Sequence, residues 1–146
     1  MPGRFKEDAC GLSGSIPARL EEVDRAVDRI QKWLTDRKLA GHLFRFTLLM
    51  REALNNAVVH GAGSDPEKTV FFFVHRDKDR LFLCIKDPGP GFDPEGRPEC
   101  TNPASVCPEH GWGVTIMRKY ASRLWYDPEL KATILAYALG NEAEDK

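Results

Sequence analysis

The residues in this sequence best able to do chemistry are Glu52, Asn55, Asn56 and His60, polar groups set into a run that is otherwise apolar on most faces. Glu52, Asn56 and His60 recur at four-residue steps, so on a helix they stack along one face. A carboxylate and an amide buried there without partners would be strongly unfavourable, because each loses its bonds to water. A divalent cation with phosphate oxygens would offset that penalty, since Mg²⁺ prefers oxygen ligands and keeps several waters. Taken alone, the same residues equally describe a helix whose asparagines bond to nearby backbone while Glu52 and His60 face water. A second group is Asp87-Pro88-Gly89-Pro90-Gly91-Phe92. A carboxylate fixed at a strand end can accept a hydrogen bond from an exocyclic amine, and glycines let backbone approach a flat ring closely. A third is Gly111-Trp112-Gly113, which at a helix start would offer free N–H groups and the helix dipole to phosphate. Each of these two is weak by itself, because Asp-Pro-Gly also describes an ordinary turn and Gly-x-Gly an ordinary loop-to-helix junction.

The elements that would position these groups are legible from periodicity. Leu20, Val23, Val27, Ile30 and Leu34 recur at three- and four-residue steps and predict an amphipathic helix from Pro17 to about Asp36, with Pro17 near its first turn. From His42 to His60 the pattern predicts a largely buried helix, with Gly61 as its left-handed cap and Gly63-Ser64-Asp65-Pro66 continuing the break. Thr69–Val74 and Leu81–Ile85 are β-rich and nearly all apolar, which predicts an antiparallel hairpin in the interior of a sheet. From Asp87 to His110 the composition turns to Gly, Pro and small polar residues, longer than a simple connection requires. A third helix follows from Val114 to about Ser122, with Met117, Tyr120 and Ala121 on one side. Arg123–Tyr126 and Ala132–Leu139 read as two further strands turned by Asp127-Pro128. The N-terminal segment and the acidic tail from Asn141 to Lys146 are expected to fray.

Composition narrows the function. The 146 residues suit one domain with a real core, and 21 basic against 22 acidic side chains give a net charge of -1, so no broad field gathers a polyanion. Direct nucleic-acid binding is not expected. No apolar run is long enough to span a bilayer and the first residues lack the apolar stretch of a secretion signal, so a cytoplasmic protein with no membrane partner is expected. Cys84 reads as a core thiol, and Cys10, Cys100 and Cys107 as reduced thiols without zinc-site spacing.

Order and context join the three groups. A buried helix with Glu-x-x-x-Asn, a strand, Asp-x-Gly-x-Gly, a long loop and Gly-x-Gly at a helix start resemble the ATPase fold shared by histidine kinases, gyrase and Hsp90-like proteins. Within it, Glu52-Ala53-Leu54-Asn55-Asn56-Ala57-Val58-Val59-His60 matches Glu-Ala-x-x-Asn-Ala-x-x-His at every fixed position. That signature belongs to the anti-sigma-factor serine/threonine protein kinases of bacterial partner-switching systems. The resemblance implies an α+β, two-layer sandwich: a mixed, mostly antiparallel sheet with helices on one face, the Bergerat fold. It implies a single such domain over residues 1–146, with a core at about 16–138.

The resemblance also implies roles. Asn56 would be the Mg²⁺ ligand and Glu52 the general base or water-orienting carboxylate. Asp87 would read the adenine amino group of ATP, Gly89 and Gly91 would shape the pocket floor, Gly111 and Gly113 would close over the phosphates, and Thr133 would line the adenine pocket. Implied partners are an anti-anti-sigma antagonist protein, phosphorylated on Ser or Thr, a sigma factor or similar client, and a second copy in a homodimer. Two departures stand out. Ala132 replaces the glycine usual before that threonine, and Glu109-His110 stands where relatives carry a basic residue in the lid. Between Phe92 and His110, Arg97 alone faces Asp93, Glu95, Glu99 and Glu109. Phosphoryl transfer depends on neutralising developing charge, so this composition keeps open a nucleotide-dependent binding module without kinase activity. A histidine-kinase catalytic domain acting in trans is the third alternative.

Overall fold

The structure, a computed structural model, describes residues 3–8, 10–89, 117 and 119–139. Among the described residues six strands form one sheet in the order β1-β2-β3-β4-β6-β5, from β1 (Arg4–Glu7), β2 (Gly11–Pro17), β3 (Thr69–Asp77), β4 (Arg80–Lys86), β5 (Arg123–Asp127) and β6 (Ala132–Ala138). Every pairing is antiparallel. Two long helices, α1 (Leu20–Asp36) and α2 (Leu43–Asn56), complete the α+β architecture expected from the sequence.

Alternation along the strands puts one face of the sheet against the helices. Leu12 and Ile16 of β2, Val70, Phe72 and Val74 of β3, Leu81, Leu83 and Ile85 of β4, and Leu135 and Tyr137 of β6 are all buried in the core. Helix α1 meets them with Val23, Ala26, Val27, Ile30, Trp33 and Leu34. Leu20 departs from the expected stripe and is exposed, because the helix starts there. Helix α2 buries Phe46, Leu49, Met50, Ala53 and Leu54. It is thus less enclosed than its composition predicts: Phe44 is 74% exposed, since the sheet and α1 cover one side only. Met117 adds to the core, and Tyr120 and Ala121 pack against it; residues 114–116 and 118 of the third expected helix lie outside the described residues.

The hairpin of β3 and β4 is central as predicted but longer, since the charged residues between the two apolar runs pair as Asp77 with Arg80 and only Lys78-Asp79 turn the chain. The face away from the helices is not closed in this way. There Phe71 and Phe73 stand exposed, and Cys84, expected as a core thiol, is half-buried opposite Phe73.

The N-terminal segment corrects the expectation of fraying. Residues 4–7 and 11–17 pair with one another, and β2 pairs along its full length with β3. Pro17 ends β2, so α1 begins at Leu20, three residues later than its position suggests. A small residue at many positions of Gly11-Leu12-Ser13-Gly14-Ser15-Ile16-Pro17 hides the alternation of a strand. Arg4 and Lys6, on the edge strand, are the kind of side chain that discourages pairing with another chain.

Candidate functional site

Helix α2 does not stop at a left-handed glycine after His60. After Asn56 it widens into a π turn, Ala57–Gly61, in which the Ala62 N–H donates to the Ala57 carbonyl at 2.9 Å. The glycine with left-handed backbone is Gly63, at φ 63°. Such wide turns are costly in packing and recur at functional sites. Here the turn carries the end of the polar helix onto the end of β4. A Cβ placed on Gly61 would overlap the Asp87 carboxyl group, both oxygens included. The end of the polar helix therefore meets Asp87 in space, although Gly61 and Asp87 stand 26 positions apart in the sequence.

Asp87 follows β4 directly, and its carboxylate accepts a hydrogen bond from the Gly89 N–H at 2.8 Å. A Cβ on Gly89 would come within 2.7 Å of the Gly61 carbonyl oxygen and 2.9 Å of the Gly61 Cα. Glycine at 61 and 89 is thus a matter of close approach, with the carboxylate wedged between the two. Thr133 pairs with Ile85, whose side chain is buried toward the helices. Directly opposite residues share a face of the sheet, so Thr133 lies on the helix side, beside the strand that Asp87 continues.

On α2, Glu52 and Asn56 are both half-buried while His60 is exposed, so the four-residue stack divides two and one. The Asn56 side-chain nitrogen is buried and has no hydrogen-bond partner among the described residues. A buried amide nitrogen is a donor that calls for a partner, and amide oxygen and nitrogen are themselves assigned from their bonding partners. Burial pushes the Glu52 carboxyl above the usual glutamate range, and the Arg51 guanidinium partly offsets this. Burial also raises the Asp87 carboxyl, and the Gly89 N–H pulls it back. Gly91, Gly111 and Gly113, with Arg97, Glu109 and His110 of the long loop, lie outside the described residues.

Also unanticipated is a buried pair near the start of α2. His42 Nδ1 and the Tyr137 hydroxyl lie 2.9 Å apart, the rings edge to face, and join the 3₁₀ turn Ala40–His42 to β6. Only an isolated histidine beside an apolar run signalled it. Among the described residues no three His, Cys, Asp or Glu gather as metal ligands. No described helix is long and apolar enough to cross a membrane.

The raised Asp87 carboxyl has a measurable consequence. A carboxyl whose folded pKa lies above its unfolded value favours the fold in its protonated form. That stabilisation is present below the unfolded pKa and is lost as pH rises through the folded one. At neutral pH the ionised group therefore works against the ligand-free fold. Asp87→Asn keeps an acceptor for the Gly89 N–H and should raise the melting temperature at pH 7, by a margin that shrinks as pH falls through the carboxylate range. A pH series of melting curves checks this, and a lower melting point for the variant at neutral pH would refute it.

Glu52 and Asn56 thus lie on the helix whose end, Gly61, meets Asp87, and Thr133 lies on the strand beside the one that Asp87 continues. No curated protein matches the sequence significantly. The family model of the histidine kinase-like ATPase domain matches residues 16–137, which span both helices and β3 to β6 with the loop between. The chain therefore belongs to the histidine kinase-like ATPase family, whose domain binds ATP for kinase or ATPase chemistry.

Proposed function

We propose that this protein is an ATP-dependent serine/threonine kinase of the anti-sigma-factor kind, which phosphorylates an antagonist protein and holds a sigma factor or similar client. The observation that carries the reading is the meeting of Asp87 with the helix that bears Glu52-Ala53-x-x-Asn56-Ala57-x-x-His60. Asp87 suits an adenine amino group: it is a half-buried acceptor, held by Gly89, at the floor formed by Gly61 and Gly89. Asn56, whose buried side-chain nitrogen has no partner among the described residues, suits the phosphate and Mg²⁺ end. Bound Mg·ATP supplies the phosphoryl group and the cation that offsets its charge. The chain's own contribution is to position and to accept a proton. Glu52, lying one helical turn before Asn56 and made more basic by burial, takes the hydroxyl proton of the substrate serine or threonine at its carboxylate. Thr133 borders the base end of the site from β6.

Binding is tested first. Mg·ADP should raise the melting temperature in proportion to the logarithm of its excess over the dissociation constant. The absence of both a melting shift and calorimetric heat at millimolar Mg·ADP would exclude the reading. Transfer is tested by labelled ATP with the cognate antagonist protein, where label should appear on a serine or threonine. The acidic composition between Phe92 and His110 favours one other reading, a nucleotide-switched binding module, which predicts the melting shift without label. Label on a histidine of a separate protein would instead mark a histidine-kinase catalytic domain acting in trans.

A further inference from the structure

Gly61 has no conformational reason to be glycine. Its backbone is not left-handed, unlike that of Gly63, and it ends a helical turn, where alanine is ordinarily the more favourable residue. Nor does it lie in open space, as Gly41 does. The three atoms nearest to a side chain placed here all belong to one group, the Asp87 carboxyl, which a Cβ at 61 would overlap at Cγ and both oxygens. On its other side the same carboxylate is tied to the Gly89 N–H, and Gly89 is itself packed on the Gly61 backbone. Asp87 can leave a Cβ at 61 only by turning its carboxylate away, which gives up the Gly89 bond.

We propose that Gly61 is a positioning residue: its bare Cα, brought forward by the π turn of α2, fixes the Asp87 carboxylate at the angle that selects the nucleobase. The proposal rests on the reading of Asp87 as the adenine acceptor. It assigns the role to a residue of the helix layer and not of the strand that leads into Asp87, and it gives the widened turn a purpose. Because the obstacle is the end of a short side chain and not backbone, a methyl group at 61 moves Asp87 and leaves the fold standing.

Two measurements on the whole chain test this. In calorimetric titrations the wild-type protein should prefer Mg·ADP to Mg·GDP. Gly61→Ala should cut that preference by about tenfold or more while changing Mg·GDP affinity by less than about threefold. A merely structural role would weaken both nucleotides together, and that outcome overturns the proposal, as does an unchanged preference. The second measurement needs no nucleotide. Gly61→Ala should lower the melting temperature when Asp87 is present and should not lower it in an Asp87→Ala background, because the overlap has been removed. Equal shifts in both backgrounds would overturn the contact itself. A wild-type protein that binds no adenine nucleotide removes the adenine reading, and base selection with it, before any substitution is made.

Discussion

Glu52→Ala should bind Mg·ADP within about threefold of the wild-type affinity and transfer phosphoryl groups roughly 10²- to 10⁴-fold more slowly, the range for losing a general base. The basis is position. Glu52 lies four residues before Asn56 on α2, away from the contact that Gly61 makes with Asp87 at the other end of the site. A loss confined to the rate at saturating nucleotide means the carboxylate acts in the transition state, whereas a parallel loss of affinity means it holds the nucleotide. Its titration gives a second signature. Desolvation raises the Glu52 carboxyl, and the base must be ionised, so the rate should fall with acid at a pH above the ordinary glutamate range. Glu52→Gln should lack that limb, and its residual rate should be flat across the same window. Single-turnover phosphorylation of the antagonist protein over a pH series measures both. A wild-type limb at the ordinary glutamate pKa, or a variant rate near that of the wild type, would assign the proton to another group.

The sequence made the central sheet and the polar helix readable for different reasons. Strands β3 and β4 carry long apolar runs with a short charged turn, so pattern and structure agree. Helix α1 obeys the helical period from Val23 onward, with Ala26 and Trp33 completing a stripe already visible. The polar helix was found through its contradictions, because Glu52 and Asn56 break an apolar surface that packing alone would leave intact. Where local pattern was silent, the structure is set by distant partners. Strand β2 is built from small residues with no alternation of its own, and its register comes from β3, more than fifty residues away. The π turn has no sequence signal either. Gly61 reads from its neighbours as a helix cap, but its conformation is ordinary and the atoms nearest to a Cβ placed on it are those of the Asp87 carboxyl. A reading that considers only the few residues around a glycine cannot see an acidic side chain arriving from another element. The same holds for His42, whose partner Tyr137 lies at the opposite end of the chain.

Asn56→Ala should act in opposite directions on the free and the nucleotide-bound protein. In the free protein the Asn56 side-chain nitrogen is buried with no partner among the described residues. Removing such a group, and placing alanine in a helix, should stabilise the fold by about 1 kcal/mol. With nucleotide, the same amide is the group best placed to meet phosphate and cation. Its loss should weaken Mg·ADP by roughly 100-fold, or ~3 kcal/mol, and should abolish most of the difference between titrations with and without Mg²⁺. Asn55→Ala is the internal control. Asn55 is the neighbouring amide and equally half-buried, but one residue along a helix turns it by about 100°, away from the Glu52 and Asn56 face. It should change Mg·ADP affinity by less than about threefold. Melting curves of the free proteins and calorimetry with and without Mg²⁺ separate the two residues. If Asn55→Ala loses Mg²⁺-dependent affinity and Asn56→Ala keeps it, the cation end of the site belongs to the other asparagine. If Asn56→Ala lowers the melting point of the free protein while leaving nucleotide affinity intact, its amide serves the fold and not the ligand.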